Sequence, residues 1–341
     1  MSPPKLSVLI VNYNAGERLS KCLDCLEAQT FRDFDIWIFD NASTDQSIEM
    51  AGNKTTLKIN IIRSKENIGF AAGNNRLGKQ AGGEWLALLN PDAYAEPQWL
   101  ANLIEASHKY PWADAFGSTQ INALDHNKLD GIGDVYHATG ITYRGGFGHS
   151  AENIPADGEC FSPCAAAALY RRKVFQELGG FDERFFCYGE DVDLGFRLRL
   201  AGGRCVQVHG AVVYHEGSGL SGRHSEFTIY HGHRNRIWSW FLNMPIALSV
   251  LLFPLNLLTN FLFLLRAILT GSGKPYWRAL CDGYREMGAM IKSGKERRKN
   301  RRIKIIELVY LLTWSPVKLL CRAGDLKPLE TKIKTAQQHS D

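Results

Sequence analysis

The 341 residues, 45% of them hydrophobic, suffice for one globular domain of roughly 200–250 residues and a further segment. The formal charge of +5 is modest but gathered: Lys292–Lys304 holds eight basic residues against one Glu. Such a run suits an anionic membrane surface, and a nucleic-acid partner is not expected.

The N-terminus, MSPPKLSVLIVNYN, has no basic leader and no small-residue cleavage site, so no signal peptide is expected and the catalytic part belongs in the cytoplasm. Leu6–Val11 is a β-branched apolar run that predicts a buried first strand, and an amphipathic helix follows over Leu19–Leu26. That helix carries Cys22 and Cys25. No second pair follows at zinc-site distance, so both read as buried, reduced thiols. Next come a strand at Phe34–Phe39, a helix from about Thr44, a strand near Lys58–Ile62, a helix from about Phe70 and a strand at Glu84–Leu89. This alternation predicts a parallel α/β sheet whose ligands bind beyond the carboxyl ends of its strands. Those ends are polar: Asn12-Tyr13-Asn14, then Asp40 to Asp45, then Asn67 to Asn75, then Asn90-Pro91-Asp92. One Asp after a strand is usually a turn former or helix cap, but four polar ends on one rim point to a site.

Residues 120–159 are glycine-rich and weakly periodic, which predicts a long functional loop. A small-residue strand or helix around Ala165–Ala168 follows. Beyond it lie a helix over Arg172–Leu178, a second over Asp191–Ala201 and a strand near Val206–Tyr214, with Gly pairs stopping both helices. Gly217, Gly219 and Gly222 match G-x-G-x-x-G, yet Arg-His-Ser-Glu follows and no acidic residue lies about 20 positions on. A Rossmann cofactor is therefore not expected.

Transfer from a sugar nucleotide needs base recognition, neutralisation of a leaving diphosphate, and removal of a proton from an acceptor hydroxyl. A carboxylate accepting N3–H selects uracil or thymine, and Asp40 stands where the second strand ends. A divalent cation, Mg²⁺ or Mn²⁺, would take hard oxygen ligands and one imidazole; Asp92 and His215 are the candidates. Glu190 and Asp191 open a helix whose N-terminus favours ionised carboxylates, so they are candidates for the base, with ordinary capping as the competing reading.

Together SVLIVNYN, DNASTD, NIGFAAGNN, LLNPDA, LYRRKVFQELGGFDERFFCYGEDVDLGFRL and HEGSG resemble the bacterial family 2 glycosyltransferases of GT-A fold, the rhamnosyltransferase-like branch, over about residues 5–240. The resemblance implies a mostly parallel sheet flanked by helices. It implies a pyrimidine contact at Asp40, with Asn12 and Asn14 in the same nucleotide pocket, to which Asn67 and Asn75 are assigned as well. The metal-holding D-x-D falls on Asn90-Pro91-Asp92, so an amide replaces its first carboxylate, and His215 matches the downstream metal ligand. Asp191 matches the base, with Glu190 beside it, and one base with in-line attack implies inversion at the anomeric carbon. Nucleotidyl transfer would want a glycine-rich basic loop after the first strand, which Asn12–Glu17 does not supply. A membrane-bound nucleotide-binding scaffold without turnover is the alternative.

Between Arg236 and Arg266 lie 29 residues without a charge, more than the roughly 20 that span a bilayer. Pro245 and Pro254 interrupt them, and a single crossing would place the basic run outside. The expectation is a GT-A catalytic domain over 1–235 and a helical, membrane-associated region over 236–341. The latter holds a re-entrant or in-plane hairpin and a second apolar segment, Ile305–Leu320, on the cytoplasmic face of the inner membrane. That position would suit a lipid-linked or glycan acceptor in cell-surface glycan synthesis, with a nucleotide sugar, rhamnose among the candidates, as donor.

Overall fold

The computed structural model describes residues 3–52, 57–217 and 225–329. Strands β1 (Leu6–Asn12), β2 (Phe34–Asp40), β3 (Ile59–Arg63) and β4 (Trp85–Leu89) run parallel in the order β4-β1-β2-β3. They are joined by α1 (Glu17–Glu27), α2 (Ser47–Gly52) and α3 (Gly69–Gln80). All seven β1 residues are buried, as a strand covered on both faces requires. Its side chains alternate between two cores. Leu6, Val8 and Ile10 share one with Leu19, Leu23 and Leu26 of α1, whereas Leu9 and Val11 share the other with Ala71 and Leu77 of α3.

The chain continues through β5 (Ala93–Ala95), α4 (Trp99–Lys109), β6 (Ala115–Asn122), β7 (Leu129–Gly131), β8 (Asp134–Tyr136), β9 (Thr142–Arg144), β10 (Gly158–Glu159), β11 (Ala167–Arg171), α5 (Arg172–Glu177), α6 (Glu190–Leu200) and β12 (Cys205–His215). The ambiguous small-residue segment is thus strand β11, inserted antiparallel between β4 and β6, while β12 lies parallel to β6. The expected mostly parallel sheet flanked by helices is present, made mixed by the antiparallel β5, β7, β10 and β11. Both α4 and β6 lie outside the elements read from sequence. In β6 the pattern is hidden because Ser118, Thr119 and Gln120 are buried polar residues; Ser118 Oγ accepts from Trp99 Nε1 at 2.8 Å and Thr119 Oγ1 donates to the His209 carbonyl at 3.0 Å. The glycine-rich stretch is not a free loop. It supplies β7–β10, and Asp130, Asp134, His137 and Thr139 are all buried.

The C-terminal part is α7 (Glu226–Asn243), α8 (Ile246–Leu269), α9 (Gly273–Arg285), α10 (Met287–Ser293), α11 (Lys295–Lys299), α12 (Ile305–Leu311) and α13 (Pro316–Cys321). The uncharged run is split at Met244-Pro245. Its first seven residues complete α7 and are buried, with Ile237, Trp240 and Leu242 sharing a core with Phe196 and Leu200 of α6. The domain border expected at 235 therefore falls inside a packed helix. Helix α8, about 36 Å long at 1.5 Å per residue, is long and apolar enough to cross a membrane, and a third of its most apolar window is buried. Val250 (70% exposed), Leu251 (72%) and Leu258 (53%) lie on its outer side, and Val317 and Leu320 of α13 are each 70% exposed. The basic run is not a uniform solvated face. Arg297 pairs with Asp182 at 2.6 Å and Asp193 at 3.0 Å, and Arg298 donates to the Phe241 and Leu242 carbonyls. Residues 218–224, with most of the discounted glycine pattern, and residues 330–341 lie outside the described residues.

Candidate active site

Asn12 and Asp40 are register partners at the carboxyl ends of β1 and β2. Asn12 Nδ2 donates to Ser43 Oγ and Ser47 Oγ, both at 2.9 Å, and its buried Oδ1 has no partner among the described residues. Asp40 Oδ1 accepts from the Ser43 amide at 3.2 Å. Asn14 sits in the left-handed region (φ 50°), where Asn is tolerated, and its Oδ1 accepts from the Thr44 amide at 2.8 Å. Asn67 Oδ1 accepts from Asn41 Nδ2 at 2.8 Å, so it belongs to the same rim. Asn75 does not. It is buried in α3, its Nδ2 donates to the Phe181 carbonyl and Glu183 Oε1, and its Oδ1 accepts from the Phe181 amide. Its amide is spent on bracing the 181–183 turn.

At the end of β4, β5 pairs with β12 so that Ala93 opposes His215, which brings Asp92 beside the imidazole. His215 Nε2 is 3.4 Å from Asp92 Oδ1 and 3.4 Å from Asn90 Nδ2, and its Nδ1 is 2.7 Å from Asp130 Oδ2. Asp130 also ion-pairs with Arg144. Burial alone would depress the His215 pKa; the hydrogen bonds to Asp130 and Asp92 outweigh it and raise the value to about 9. Asn90 Oδ1 is buried and without a partner among the described residues. A carboxylate, an imidazole and an orphaned amide oxygen are donors a divalent cation accepts, and Asp130 orients the ring as an outer-shell carboxylate does. The residues fit the ion expected there.

The third cluster forms at the N-terminus of α6. Every residue of this helix except Asp191 is buried. The turn before it carries positive φ at Phe186 (62°), Tyr188 (70°) and Gly189 (79°), and Asn235 Nδ2 of α7 donates to the carbonyls of residues 185, 187 and 188 at 2.7–2.9 Å. Asp191, half-buried, accepts from the Ala165 amide at 3.1 Å and the Val192 amide at 2.8 Å. Glu190 departs from expectation. Burial, then the Asp191 charge, push its carboxyl well above the usual range, overriding the helix N-terminus, and its Oε2 has no partner among the described residues. Asp134 is raised in the same way, by burial and then Asp191. Asp134, Cys164 and Asp191 bring their ligand atoms within 4.8 Å of one another, and burial drives the free Cys164 thiol strongly toward its protonated form. A cavity of about 360 Å³ joins Asn90, Asp134, Arg144, Glu190 and Asp191.

Residues 7–179 match the family described as glycosyl transferase family 2, and residues 148–322 match glycosyl transferase family group 2. The chain belongs to glycosyltransferase family 2. Within it the rhamnosyltransferase-like branch is indicated by relatives such as the N-acetylglucosaminyl-diphospho-decaprenol L-rhamnosyltransferase of Mycobacterium tuberculosis, 29% identical over 248 residues, 64% of this chain and 78% of the relative. Two solved structures share the fold. Staphylococcus aureus TarS 1–349 in complex with UDP-GlcNAc aligns at TM-score 0.56 and 17% identity, covering 86% of this chain and 90% of that one. A mannosyltransferase from Pyrobaculum calidifontis with GDP-Man and Mn²⁺ aligns at TM-score 0.53 and 17% identity, covering 88% of each.

For this family 2 glycosyltransferase the sequence reading gave roles at one site to Asp92, His215, Glu190 and Asp191; in the fold His215 lies beside Asn90 and Asp92, and Asn90 shares a cavity with Glu190 and Asp191. It missed Asp130, Asp134 and Arg144. Their only signal was two carboxylates and one Arg in a glycine-rich stretch, with nothing to say that β7–β9 carry them to the end of β12.

Proposed function

We propose that this glycosyltransferase is inverting and metal-dependent. Its donor is a pyrimidine nucleoside diphosphate sugar, dTDP-rhamnose first among the candidates, and its acceptor is a lipid-linked or polysaccharide glycan at the cytoplasmic face of the inner membrane. The observation that carries the reading is the single cavity that joins Asn90, at the diphosphate end, to the half-buried Asp191. Asp40, with Asn12, Asn14 and Asn67 around it, receives the N3–H of the base. Asp191 takes the proton of the acceptor hydroxyl as that oxygen attacks the anomeric carbon from the face opposite the leaving group. The glycosidic C–O bond to the diphosphate breaks and the nucleoside diphosphate leaves. Asp92 and His215 would hold Mg²⁺ or Mn²⁺, which when bound supplies positive charge to the leaving diphosphate. Asp191 is favoured over Glu190 as the base because it is half-buried and held by two backbone amides, whereas Glu190 is buried.

The test is nucleoside diphosphate release by the detergent-purified chain with dTDP-rhamnose, UDP-galactose, UDP-glucose, UDP-N-acetylglucosamine or GDP-mannose, with Mg²⁺, Mn²⁺ or EDTA and a lipid-linked acceptor. One pyrimidine donor should be consumed, EDTA should stop it, and Asp92→Ala should lower turnover by roughly 10²-fold or more. Turnover of GDP-mannose alone, or an undiminished rate in EDTA, would sink the reading.

For the membrane, the division of labour proposed is catalysis by residues up to about 235 and contact by those beyond, with α7 shared. The exposed apolar residues of α8 and α13 form a face that water does not favour. The full chain should co-sediment with vesicles containing anionic lipid, and the triple change Val250→Asp, Leu251→Asp, Leu258→Asp should release it without unfolding. Equal binding by the triple variant removes α8 as the contact.

A further inference from the structure

The wall of the cavity facing Asp191 comes from the C-terminal helices: Gly232, His233 and Arg236 of α7, Phe263 of α8 and Leu319 of α13. Arg236 is 4% exposed. Its Nε bonds His233 Nδ1 at 3.1 Å, and its Nη2 donates to Asn260 Oδ1 at 2.6 Å and to the Tyr276 hydroxyl at 2.8 Å. These partners carry no negative charge; His233 is held neutral by burial, then by the nearby Arg236 and Arg322. Nη1 has no partner and the guanidinium no ion pair among the described residues. A buried cation without an anion is expensive, and the charge is delocalised over a planar fork suited to phosphate oxygens. Gly232 lies one turn away and lines the same cavity, and a Cβ there would meet nothing within 4 Å, so the cavity is open at that position. Arg322 lines the same cavity from an exposed position.

We infer that this wall, centred on Arg236, binds the diphosphate of an acceptor glycan carried on a polyprenyl diphosphate. The inference rests on the transferase reading above and adds the group that recognises the acceptor. Two observations favour the acceptor's diphosphate over the donor's. The donor end of the site is built by β1, β2 and β4 with His215, whereas Arg236, on α7, is held by Asn260 of α8, the helix that bears exposed apolar residues. Phe263 and Leu319 also place apolar side chains in the cavity lining, on the same helices as the exposed Leu262 and Leu320. An anionic head beside Arg236 would have an apolar route for its chain. The acceptor hydroxyl, on the sugar attached to that diphosphate, would then lie toward Asp191.

The test uses the detergent-purified full chain and measures equilibrium binding of farnesyl diphosphate, farnesol and UDP. Wild-type protein should bind farnesyl diphosphate at least tenfold more tightly than farnesol, and UDP should not displace it. Arg236→Gln should weaken farnesyl diphosphate at least tenfold and leave farnesol and UDP unchanged, with Arg236→Lys intermediate. Because Arg236 also braces α7, Gly232→Leu is the second variant: it fills open space, should keep UDP binding, and should weaken farnesyl diphosphate comparably. Lys173→Gln, at a side chain 81% exposed, controls for bulk charge and should change nothing. Equal affinity of wild type for diphosphate and alcohol, displacement by UDP, or unaltered binding in both variants overturns the inference. Failure of every donor to turn over, with this binding intact, would instead count against the transferase reading.

Discussion

Asp191→Asn will lower sugar transfer by about 10²–10⁴-fold and leave nucleotide binding near wild type. The carboxylate sits at the first turn of α6, accepting from the Ala165 and Val192 amides, and it lines the cavity as the one residue of that helix that is not buried. Asn preserves size and one acceptor oxygen but cannot take a proton, so the loss should appear in turnover and not in affinity. Nucleoside diphosphate release with acceptor present reads the first, and calorimetric binding of the same nucleotide reads the second. A rate within about threefold of wild type would remove Asp191 as the base, whereas nucleotide binding with no transfer by the wild-type chain itself would decide for the scaffold without turnover.

Arg199→Ala will destabilise the chain by about 3–5 kcal/mol, a fall of roughly 10 °C in the unfolding midpoint. Arg199 lies near the far end of α6 with its side chain 1% exposed, pairs with Glu159 at 2.5 Å, and donates to the carbonyls of Phe161 and Cys160. Burial would raise the Glu159 pKa, but Arg204 and Arg199 hold it below the usual range, so the carboxylate stays charged and loses one of two partners in the variant. The two carbonyls lose their donor as well. Thermal unfolding of the detergent-purified protein checks this. A midpoint shift below about 2 °C would mean that Arg204 alone can satisfy Glu159. Since α6 also carries Asp191, loss of anchorage here should lower turnover in proportion to the unfolded fraction and not beyond it.

The first half of the fold was readable because parallel strands are buried on both faces and so appear as unbroken apolar runs, with polar residues only at their ends. Asn12, Asp40 and Asp92 were found by that contrast. Residues whose role depends on long-range contact were not legible. Asp193 looks like a capping residue of α6, but it is fully buried between Arg197, Arg297 and Asn243. Asn75 shares its local pattern with Asn67 yet is consumed in bracing a turn more than 100 residues away. The run from Ile237 to Leu265 is continuous in hydropathy, and the turn at Pro245 separates a wholly buried part from a helix that is buried along one side only.

The grip of Asn235 on the turn before Glu190 bears on how acceptor range can change. Three carbonyls of that turn depend on one amide contributed by α7, so the two halves of the chain are not interchangeable cassettes. Hybrids made by swapping C-terminal halves between relatives should therefore be joined ahead of α7, near residue 225, because a seam at 235 would pair one parent's strained loop with the other parent's clasp. Drift in the two segments is expected to be correlated, since each sets the conformation the other must fit.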